Sequence, residues 1–258
     1  MTAIHPTAII STKAELDSHV TVGPYAFIGD DVTIAAGTEV RHHASIEGPT
    51  SIGKDNLVYQ YASVGAAPQD KKYAGEPTSL EIGDGNTIRE FVTINRGTVQ
   101  DVGVTRIGDD NWIMAYVHIA HDCQIGSHAI FANNVTLAGH VHIGDHVIMG
   151  GFSGAHQFCR IGPHAFIGMY AAVSRDVPAF VMLGGSPAKP HGINTEGLSR
   201  RGFDRDVIRR IKNAYKLVYR SGERLADVIE ELERQVEGAP ELGEFLASIK
   251  ASERGLQR

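Results

Sequence analysis

Residues 107–173 read IGDDNWIMAYVHIAHDCQIGSHAIFANNVTLAGHVHIGDHVIMGGFSGAHQFCRIGPHAFIGMYAAV, and this stretch decides the fold. An apolar residue stands at every sixth position, at Ile107, Ile113, Ile119, Ile125, Phe131, Leu137, Ile143, Met149, Ala155, Ile161, Ile167 and Val173. A second, smaller residue recurs four positions later, and Gly often follows the sixth-position residue. An α-helix repeats its apolar positions every three or four residues, so this period does not fit one. The period predicts short strands joined by tight corners.

The same register runs through residues 4–64 and returns over 82–94. Three strands, each one repeat long, close a triangular coil, and successive coils stack about 4.8 Å apart. Gly is expected at the corners because it adopts a positive φ without a Cβ penalty. The 26 positions in register predict roughly nine to ten coils of a parallel β-helix. The spacing leaves the handedness open, although parallel crossovers are in general right-handed.

The six-residue pattern breaks twice and then ends. Residues 65–79 are polar with two prolines, and residues 96–105 shift the register, so two inserted loops are expected. After Val173 the pattern is lost, and residues 188–203 are interpreted as a connector. Helical periodicity then predicts three helices, over about 204–222, 223–237 and 240–252. We therefore predict a β-helix domain over 1–188 and a small α-helical domain over 189–258.

The charge is divided unevenly along the chain. The net charge is −6, whereas residues 200–224 hold nine basic and three acidic residues. This basic patch is either the solvated face of a helix or a docking surface for an acidic partner. Nucleic acid is not expected as a partner, because the chain is acidic and few aromatic residues accompany its cations.

Compartment and cysteine use follow from the same sequence. No signal peptide and no apolar run long enough to span a bilayer is present, which predicts a cytoplasmic protein without a transmembrane segment.

Cys123 and Cys159 both occupy the small inward position, two coils apart. Two coils separate them by about 9–10 Å, too far for a disulfide. They are interpreted as buried core thiols, with a catalytic thiol as the weaker alternative.

Several of the thirteen histidines meet when the coils are stacked. A step of one full coil places His121 below Gly139 and Gly139 below Gln157, with Asp122 below His140. His118 lies on the same strand as His121, and His156 is next to Gln157. Because corner side chains point outward, the cluster predicts a surface cleft.

Three interpretations of this cluster remain. A histidine with a pKa near 6.5, oriented by a carboxylate, can take a proton from an alcohol, and a Gly N–H can bind an oxyanion. Three histidines and a carboxylate can also bind zinc, as in a metal-dependent lyase on this scaffold. The third possibility is a structural cluster of hydrogen-bonded histidines. Four histidines around one Gly favour a functional site over a structural cluster. A metal is disfavoured because the cluster includes Gln157 and lacks a clear carboxylate–histidine outer shell. No metal and no cofactor is expected.

Five segments resemble the UDP-N-acetylglucosamine O-acyltransferases that start lipid A synthesis. They are His118-Ile-Ala-His121-Asp-Cys, Leu137-Ala-Gly-His140-Val, Ala155-His-Gln-Phe158, Gln69-Asp-Lys-Lys-Tyr-Ala-Gly-Glu-Pro-Thr78 and Asn194-Thr-Glu-Gly-Leu-Ser-Arg-Arg-Gly-Phe203. The similarity covers the whole chain. It implies a left-handed β-helix, a homotrimer with active sites between neighbouring subunits, and transfer of an (R)-3-hydroxyacyl group from acyl carrier protein to the 3-hydroxyl of UDP-GlcNAc.

The resemblance also implies a role for each matching residue. His121 would be the general base, Asp122 its support and the Gly139 N–H the oxyanion donor. The residues implied in substrate binding are Asp70 and Lys72 at the sugar, His118 within the first motif, His140, His156 and Gln157 at the donor and nucleotide sugar, and Asn194, Glu196, Arg200 and Arg201 at the uracil and phosphate end. Arg suits phosphate because its planar fork donates two hydrogen bonds. The basic patch at 200–224 would dock the acidic carrier protein.

Two positions depart from the family pattern. Met169 stands where long-chain members carry Gly, which predicts an acyl donor nearer ten carbons than fourteen, although Met is also a common gap filler. Met169 would meet the acyl chain from the neighbouring subunit. Asn95 stands where relatives often have His, so its role is open.

Other functions fit the sequence less well. An N-acyltransferase of the same pathway normally carries an extra N-terminal domain, whereas the six-residue pattern here begins at Ile4. An acetyltransferase that uses coenzyme A is less favoured, because the long loops and the helical tail match the carrier-dependent enzyme. An ice-binding or purely structural solenoid would require a flat, repeated Thr face, which this sequence does not show.

Overall fold

The computed structural model describes residues 3–258, so the start of the predicted β-helix at residues 1–2 lies outside the described residues. Within this range the strands form three sheets, the faces of a triangular β-helix, and all pairs are parallel except the last pair of the first sheet. The first, 11-stranded sheet contains β1 (Ala3–Ile4), β4 (Thr21–Val22), β7 (Glu39–Val40), β10 (Leu57–Val58), β13 (Thr87–Ile88), β16 (Trp112–Ile113), β19 (Ile130–Phe131), β22 (Ile148–Met149), β25 (Phe166–Ile167), β27 (Val181–Gly184) and β28 (Lys189–Ile193).

The other two faces continue each coil. The second, 9-stranded sheet contains β2 (Ile9–Ile10), β5 (Phe27–Ile28), β8 (Ser45–Ile46), β11 (Ser63–Ala66), β14 (Thr93–Asn95), β17 (His118–Ile119), β20 (Thr136–Leu137), β23 (Gly154–Ala155) and β26 (Ala172–Val173). The third, 8-stranded sheet contains β3 (Glu15–Leu16), β6 (Val32–Ile34), β9 (Thr50–Ile52), β12 (Ser79–Ile82), β15 (Val104–Ile107), β18 (Gln124–Ile125), β21 (His142–Ile143) and β24 (Arg160–Ile161).

The sixth-position residues stack in the expected register. Ile119 pairs with Leu137, one coil further along the chain, and both side chains are fully buried. The predicted β-helix of six-residue repeats is thereby confirmed. Burial of one large apolar side chain per strand stabilises each coil against its neighbours, because every such residue removes its apolar surface from water.

Corner glycines serve a different purpose from the one predicted. Apart from Gly65 (φ +80), those that follow the aliphatic position do not adopt a positive φ. A Cβ added at Gly53 would lie 2.6 Å from the carbonyl oxygen of Gly83 in the next coil. The left-handed conformation falls on non-glycine residues at the corners, such as Tyr25 (φ 57) and Asp122 (φ 59). The glycines are therefore required by the close approach of adjacent coils.

The two inserted loops leave the β-helix where the sequence predicts. The first joins β11 to β12 and the second joins β14 to β15. The ladder closes across both, with Ile52 opposite Ile82 across the first loop and Ile82 opposite Ile107 across the second. The two thiols, Cys123 and Cys159, are free and buried, as predicted. Burial raises the pKa of Cys123 to about 12 and that of Cys159 to about 11, which argues against a catalytic thiol at either position.

The C-terminal part packs on the end of the β-helix. Strand β27 continues the first sheet beside β25, and β28 returns antiparallel to it, so the predicted boundary at 188 lies between these two strands. The helices are α1 (Thr195–Arg200), α2 (Arg205–Arg220), α3 (Leu225–Val236) and α4 (Gly243–Lys250), with a 3₁₀-helix at Pro240–Leu242. The three predicted helices are confirmed. Helix α1 lies in the segment interpreted as a connector, and the Asn194 side chain caps it by accepting from the Gly197 N–H.

Asp176 anchors the end of the chain. Its carboxylate accepts hydrogen bonds from the Arg160 N–H, the Ser252 hydroxyl and the Arg254 N–H. Gln257 donates to the carbonyl of Ala188. These bonds fix the C-terminal segment against the last coils. No helix among residues 3–258 is both long and apolar enough to cross a membrane.

Candidate active site

His121 and Asp122 form a hydrogen-bonded pair at the corner between the second and third sheets. His121 Nδ1 lies 2.9 Å from Asp122 Oδ2. A carboxylate accepts, so Nδ1 carries the proton and Nε2 keeps a free lone pair. This tautomer is the one a general base requires.

The Asp122 carboxylate is fully buried, contrary to the expectation that corner side chains point outward. The reason is the second loop, which covers this corner. Thr98 donates its backbone N–H to both oxygens, at 2.9 and 3.0 Å, and its hydroxyl to Oδ2 at 2.6 Å. Burial disfavours the charged form, but the hydrogen bonds from His121 and Thr98 prevail and hold the pKa of Asp122 below its usual value. Asp122 is therefore an anion beside the imidazole at neutral pH.

Gly139 lies against the face of the His121 ring. A Cβ at this position would lie 2.5 Å from Cε1 and 2.7 Å from Nε2 of His121, so a larger residue would displace the imidazole. Among the described residues, no hydrogen bond uses the Gly139 N–H. A free backbone donor next to a free imidazole nitrogen is the arrangement that an oxyanion-binding site needs.

His140 completes the cluster from the next coil. Its Nδ1 lies 2.7 Å from Asp101 Oδ2 and 3.8 Å from Asp122 Oδ2. Its ring stacks on Phe158, with centroids 4.3 Å apart, and meets the His121 ring edge-on at 4.9 Å. The imidazole is therefore held on three sides.

A cavity of about 470 Å³ opens over these side chains. Of the residues predicted to bind substrate, it brings together Asp70, Lys72, His140 and Gln157 with His121, the predicted general base. Gln69, Gln100 and Phe158 also line the cavity and are not singled out by the sequence. The mixture of an acid, a cation and amides is suited to a hydroxyl-rich ligand.

Two predicted residues lie beside the cavity without lining it. The His118 Nδ1 is 2.8 Å from the Thr93 hydroxyl, and burial, followed by the charge of His121, lowers the pKa of His118. His156 is exposed, and its ring contacts the Gln157 carbonyl at 3.2 Å. Their predicted substrate contacts stay predictions.

Asn95 has a defined structural role. Its amide donates to the carbonyl of Ala67 at 2.9 Å, so it ties the start of the first loop to the second sheet. Its Oδ1 is buried without a hydrogen-bond partner and borders the cavity. A bound ligand could supply the missing donor, because an unpaired buried acceptor is unfavourable.

The four predicted C-terminal residues lie away from this cavity. Asn194 caps α1 and donates to the His164 carbonyl at 3.2 Å, and Arg201 donates to the His146 carbonyl at 3.1 Å. Burial lowers the pKa of Arg201. Glu196 and Arg200 form an exposed ion pair at 3.0 Å. Their predicted contacts with the uracil and phosphate stay predictions.

Met169 lies on the corner between the first and second sheets, away from His121, as its position in the repeat predicts. Its side chain is 63% exposed. It leans over Gly151, with its Cε 4.0 Å from the position of a Cβ there. An exposed thioether on a rigid corner is free to contact another subunit.

His121, Asp122 and His140 each offer a donor atom within 4.8 Å of the others, so a metal ion could be considered. Both Asp122 oxygens, however, already accept hydrogen bonds from Thr98. Coordination would compete with these bonds, and with the bond from His121, for the lone pairs of a fully buried carboxylate. No clear carboxylate–histidine outer shell is expected from the sequence, whereas the structure has one in the Asp101–His140 pair, so the bonds already made by Asp122 are what favours a proton-transfer pair over a metal ligand set.

Comparison with known proteins places the chain in a class and a family. Residues 105–139 match the model of the bacterial transferase hexapeptide (six repeats), and residues 176–257 match the second domain of UDP-N-acetylglucosamine O-acyltransferase. The acyl-[acyl-carrier-protein]–UDP-N-acetylglucosamine O-acyltransferases of Janthinobacterium sp. (strain Marseille) and Herminiimonas arsenicoxydans are 59% and 56% identical to it, each over 100% of both chains.

Solved structures agree with this result. The structure of LpxA from Acinetobacter baumannii is 49% identical and has a TM-score of 0.97, with 99% of each chain covered. The UDP-N-acetylglucosamine O-acyltransferase (LpxA) from Moraxella catarrhalis is 50% identical, with a TM-score of 0.98 and the same coverage. The fold is the left-handed β-helix of the hexapeptide-repeat transferases. The chain belongs to the UDP-N-acetylglucosamine O-acyltransferase family.

Proposed function

We propose that this enzyme transfers an (R)-3-hydroxyacyl group from acyl carrier protein to the 3-hydroxyl of UDP-GlcNAc, the first step of lipid A biosynthesis, with His121 as general base. The observation that carries the mechanism is the Asp122–His121–Gly139 arrangement. It provides an anion, an oriented imidazole and a free N–H at one corner. Membership of the family supports the reaction, and the geometry supports the role of each group.

The reaction begins with removal of the proton from the sugar hydroxyl. His121 Nε2 takes this proton while the hydroxyl oxygen attacks the carbonyl carbon of the thioester. Negative charge builds up on the carbonyl oxygen, and the Gly139 N–H donates to it. The C–S bond then breaks, and the proton held by His121 passes to the sulfur of the carrier's prosthetic group. Asp122 stabilises the imidazolium between these two proton transfers because it remains ionised and buried beside Nδ1.

Asp70, Lys72, His140 and Gln157 are proposed to hold the acceptor sugar and the donor around the base. Asp70 and Lys72 come from the first loop, and the Lys72 N–H donates to Asp70 Oδ1 at 3.0 Å. His140 and Gln157 come from the two coils above His121. The sugar hydroxyl would therefore be positioned both by the first loop and by the surface of the β-helix.

A trimer is proposed because the cavity lacks the implied uracil and phosphate contacts of residues 194–201. The corner between the first and second sheets offers a surface for assembly. Tyr61, Phe91 and Tyr116 stack there at 5.4 and 4.9 Å, and each is exposed. Contiguous exposed aromatic rings on a soluble scaffold mark interaction surfaces. Met169 and Tyr170 lie on this same corner, where a neighbouring subunit would meet them.

Carrier docking is proposed at the basic patch of residues 200–224. Lys212, Lys216 and Arg220 follow at intervals of four residues on α2, and they line one recess together with His191. Cations on one face of a helix accelerate encounter with an acidic protein. The cytoplasmic location of the reaction stays a prediction.

An acyl-transfer assay tests the proposal. Wild-type enzyme, His121→Ala and His156→Ala are incubated with UDP-GlcNAc and (R)-3-hydroxyacyl carrier proteins of several chain lengths, with and without a chelator. We expect transfer by wild type in both conditions, loss of at least about 100-fold with His121→Ala, and a much smaller effect with His156→Ala. A wild-type enzyme that transfers nothing while it binds zinc would favour the metal-dependent lyase chemistry instead.

A further inference from the structure

Asp101 contacts a histidine of the active site, although it belongs to the second loop and is not implied by any motif. Its Oδ2 lies 2.7 Å from His140 Nδ1. The carboxylate is about one-third exposed, whereas the His140 ring is nearly buried. A charge-assisted hydrogen bond of this length fixes which nitrogen of His140 bears a proton.

The two histidines lie within reach of one shared carboxylate. Asp122 Oδ2 is 2.9 Å from His121 Nδ1 and 3.8 Å from His140 Nδ1. A small rotation of the His140 ring would therefore allow its N–H to donate to Asp122. Asp122 Oδ2 would then accept from both His121 and His140, and each of the two hydrogen bonds would be weaker.

We propose that Asp101 is a positioning residue that keeps His140 off Asp122, so that the Asp122 carboxylate is reserved for the general base His121. This inference rests on the proposed function, since it assigns Asp101 to the support of the same base. Asp101 touches neither the reacting hydroxyl nor the thioester, and it acts through His140.

The second loop is built to place Asp101 at this point. Thr98, three residues earlier, is fully buried and donates twice to Asp122. The Asp101 N–H donates to the Thr98 carbonyl at 3.4 Å, which closes a turn between them. The second loop thus holds the Asp122 carboxylate through Thr98. It also supplies a second carboxylate, that of Asp101, to His140.

Phe158 limits the alternatives open to His140. Its ring is nearly parallel to the imidazole, with an interplanar angle of 6°. A small change in χ1 would slide the imidazole across the Phe158 ring and exchange Asp101 for Asp122 as the partner of Nδ1. The ring therefore has two acceptors, and the nearer one is Asp101.

Other charged and titratable groups near the two rings are His118 and His142 on the strands and Asp70 and Lys72 from the first loop. None of them is replaced in the experiment below, so their influence is the same in every variant. The change in the pH profile can then be assigned to Asp101 and His140.

The test is a double-mutant cycle with Asp101→Ala and His140→Ala, in which kcat, KM and the pH dependence of kcat/KM are measured for acyl transfer. Asp101→Ala is expected to lower kcat about tenfold with little change in KM for UDP-GlcNAc. It is also expected to move the acidic limb of the profile to lower pH, because His121 loses part of the negative charge that stabilises its protonated form. In the His140→Ala background, Asp101→Ala is expected to have no further effect, since the competitor is already absent.

Control variants separate this role from a displaced loop. Val102→Ala changes an exposed neighbour on the same loop and is expected to leave all parameters unchanged. Asp101→Glu keeps the charge and is expected to recover part of the rate. The proposal is overturned if Asp101→Ala lowers kcat without moving the acidic limb, or if its effect is the same in the His140→Ala background.

A readout without turnover distinguishes failure of this inference from failure of the proposed function. The imidazole ¹⁵N and ¹H signals of His121 report its Nδ1–H bond to Asp122. Asp101→Ala is expected to shift them, and Val102→Ala is not. If His121→Ala retains full activity, the proposed base is wrong whatever the spectra show. If His121→Ala is inactive and the spectra do not respond to Asp101→Ala, only the positioning role is rejected.

Discussion

Thr98 donates its hydroxyl to Asp122 Oδ2 over 2.6 Å, and its backbone N–H to the same carboxylate, inside a region without solvent access. A residue of an inserted loop thus holds the anion that pairs with the proposed general base. We expect the position of this loop and the basicity of His121 to be coupled through these bonds.

Thr98→Val tests this coupling. The change removes the hydroxyl donor and leaves a buried carboxylate oxygen with one partner fewer, so the free energy of unfolding should fall by about 1–3 kcal/mol. We expect kcat to fall about tenfold as well, because Asp122 then supports His121 less well. Thermal unfolding and kinetics of Thr98→Val measure both effects. Thr98→Ser, which keeps the hydroxyl, should behave like wild type, and equal losses in the two variants would contradict the role assigned to the bond.

Gly139→Ala should inactivate the enzyme while it stays folded. The new Cβ would lie 2.5 Å from His121 Cε1, so the imidazole must move away from the N–H that is proposed to bind the oxyanion. A displacement of about 1 Å in such a site lowers the rate by about 100-fold. Circular dichroism and the transfer assay distinguish inactivation from unfolding. Gly238→Ala, where an added Cβ meets nothing within 4 Å, is the matched control and should retain full activity.

Regular stacking explains how much of this site could be read from the sequence. A step of one coil correctly places His121 beneath Gly139, because every intervening coil has the same length. The same rule cannot place Thr98 or Asp101, because both lie in the second loop, which does not follow the six-residue period. The position of this loop is determined instead by its hydrogen bonds to Asp122 and His140. The rule also fails for burial at the corner, since it treats Asp122 as an outward side chain and ignores the loop that covers it.

Acid should destabilise the protein through His164. This imidazole is buried in a stack between His146 and Phe180, and its Nδ1 has no hydrogen-bond partner. Burial, followed by the charges of His146 and Arg201, lowers the pKa of His164 from 6.5 to about 4. The unfolded chain binds this proton at higher pH than the folded one, so the free energy of unfolding should fall as the pH drops from 6.5 to 4, by up to about 3 kcal/mol.

His164→Phe provides the check on this prediction. Chemical denaturation between pH 7 and 4 should show a flatter pH dependence for His164→Phe than for wild type. The control is His128→Phe in the same histidine stack, where the side chain is half exposed, so this variant reports the loss of a stacked imidazole that is not buried. An unchanged slope in His164→Phe would assign the acid sensitivity to other groups.

Charge reversal on α2 should impair recognition of the carrier alone. Lys212→Glu and Lys216→Glu place repulsive charges on the proposed docking surface, so KM for the acyl carrier protein should rise about tenfold while KM for UDP-GlcNAc is unchanged. The difference between wild type and variant should shrink at high salt, because the interaction is screened. Lys54→Glu on the β-helix, an exposed lysine far from α2 in sequence, is the control. A rise in both KM values would indicate a general defect.

Met169→Gly should lengthen the acyl group that the enzyme prefers. The Met169 side chain is exposed on a corner and leans over Gly151, so its removal leaves the core intact. The removal also opens space at the point where a neighbouring subunit would enclose the end of the acyl chain. A hydrophobic pocket distinguishes one methylene by about 1–3 kcal/mol, enough to shift kcat/KM between ten and fourteen carbons by at least tenfold. The measurement is kcat/KM over a series of carrier-bound chain lengths, with Met169→Leu as a control that keeps most of the bulk. If Met169→Gly and Met169→Leu share the wild-type profile, the pocket ends elsewhere and Met169 fills a surface gap.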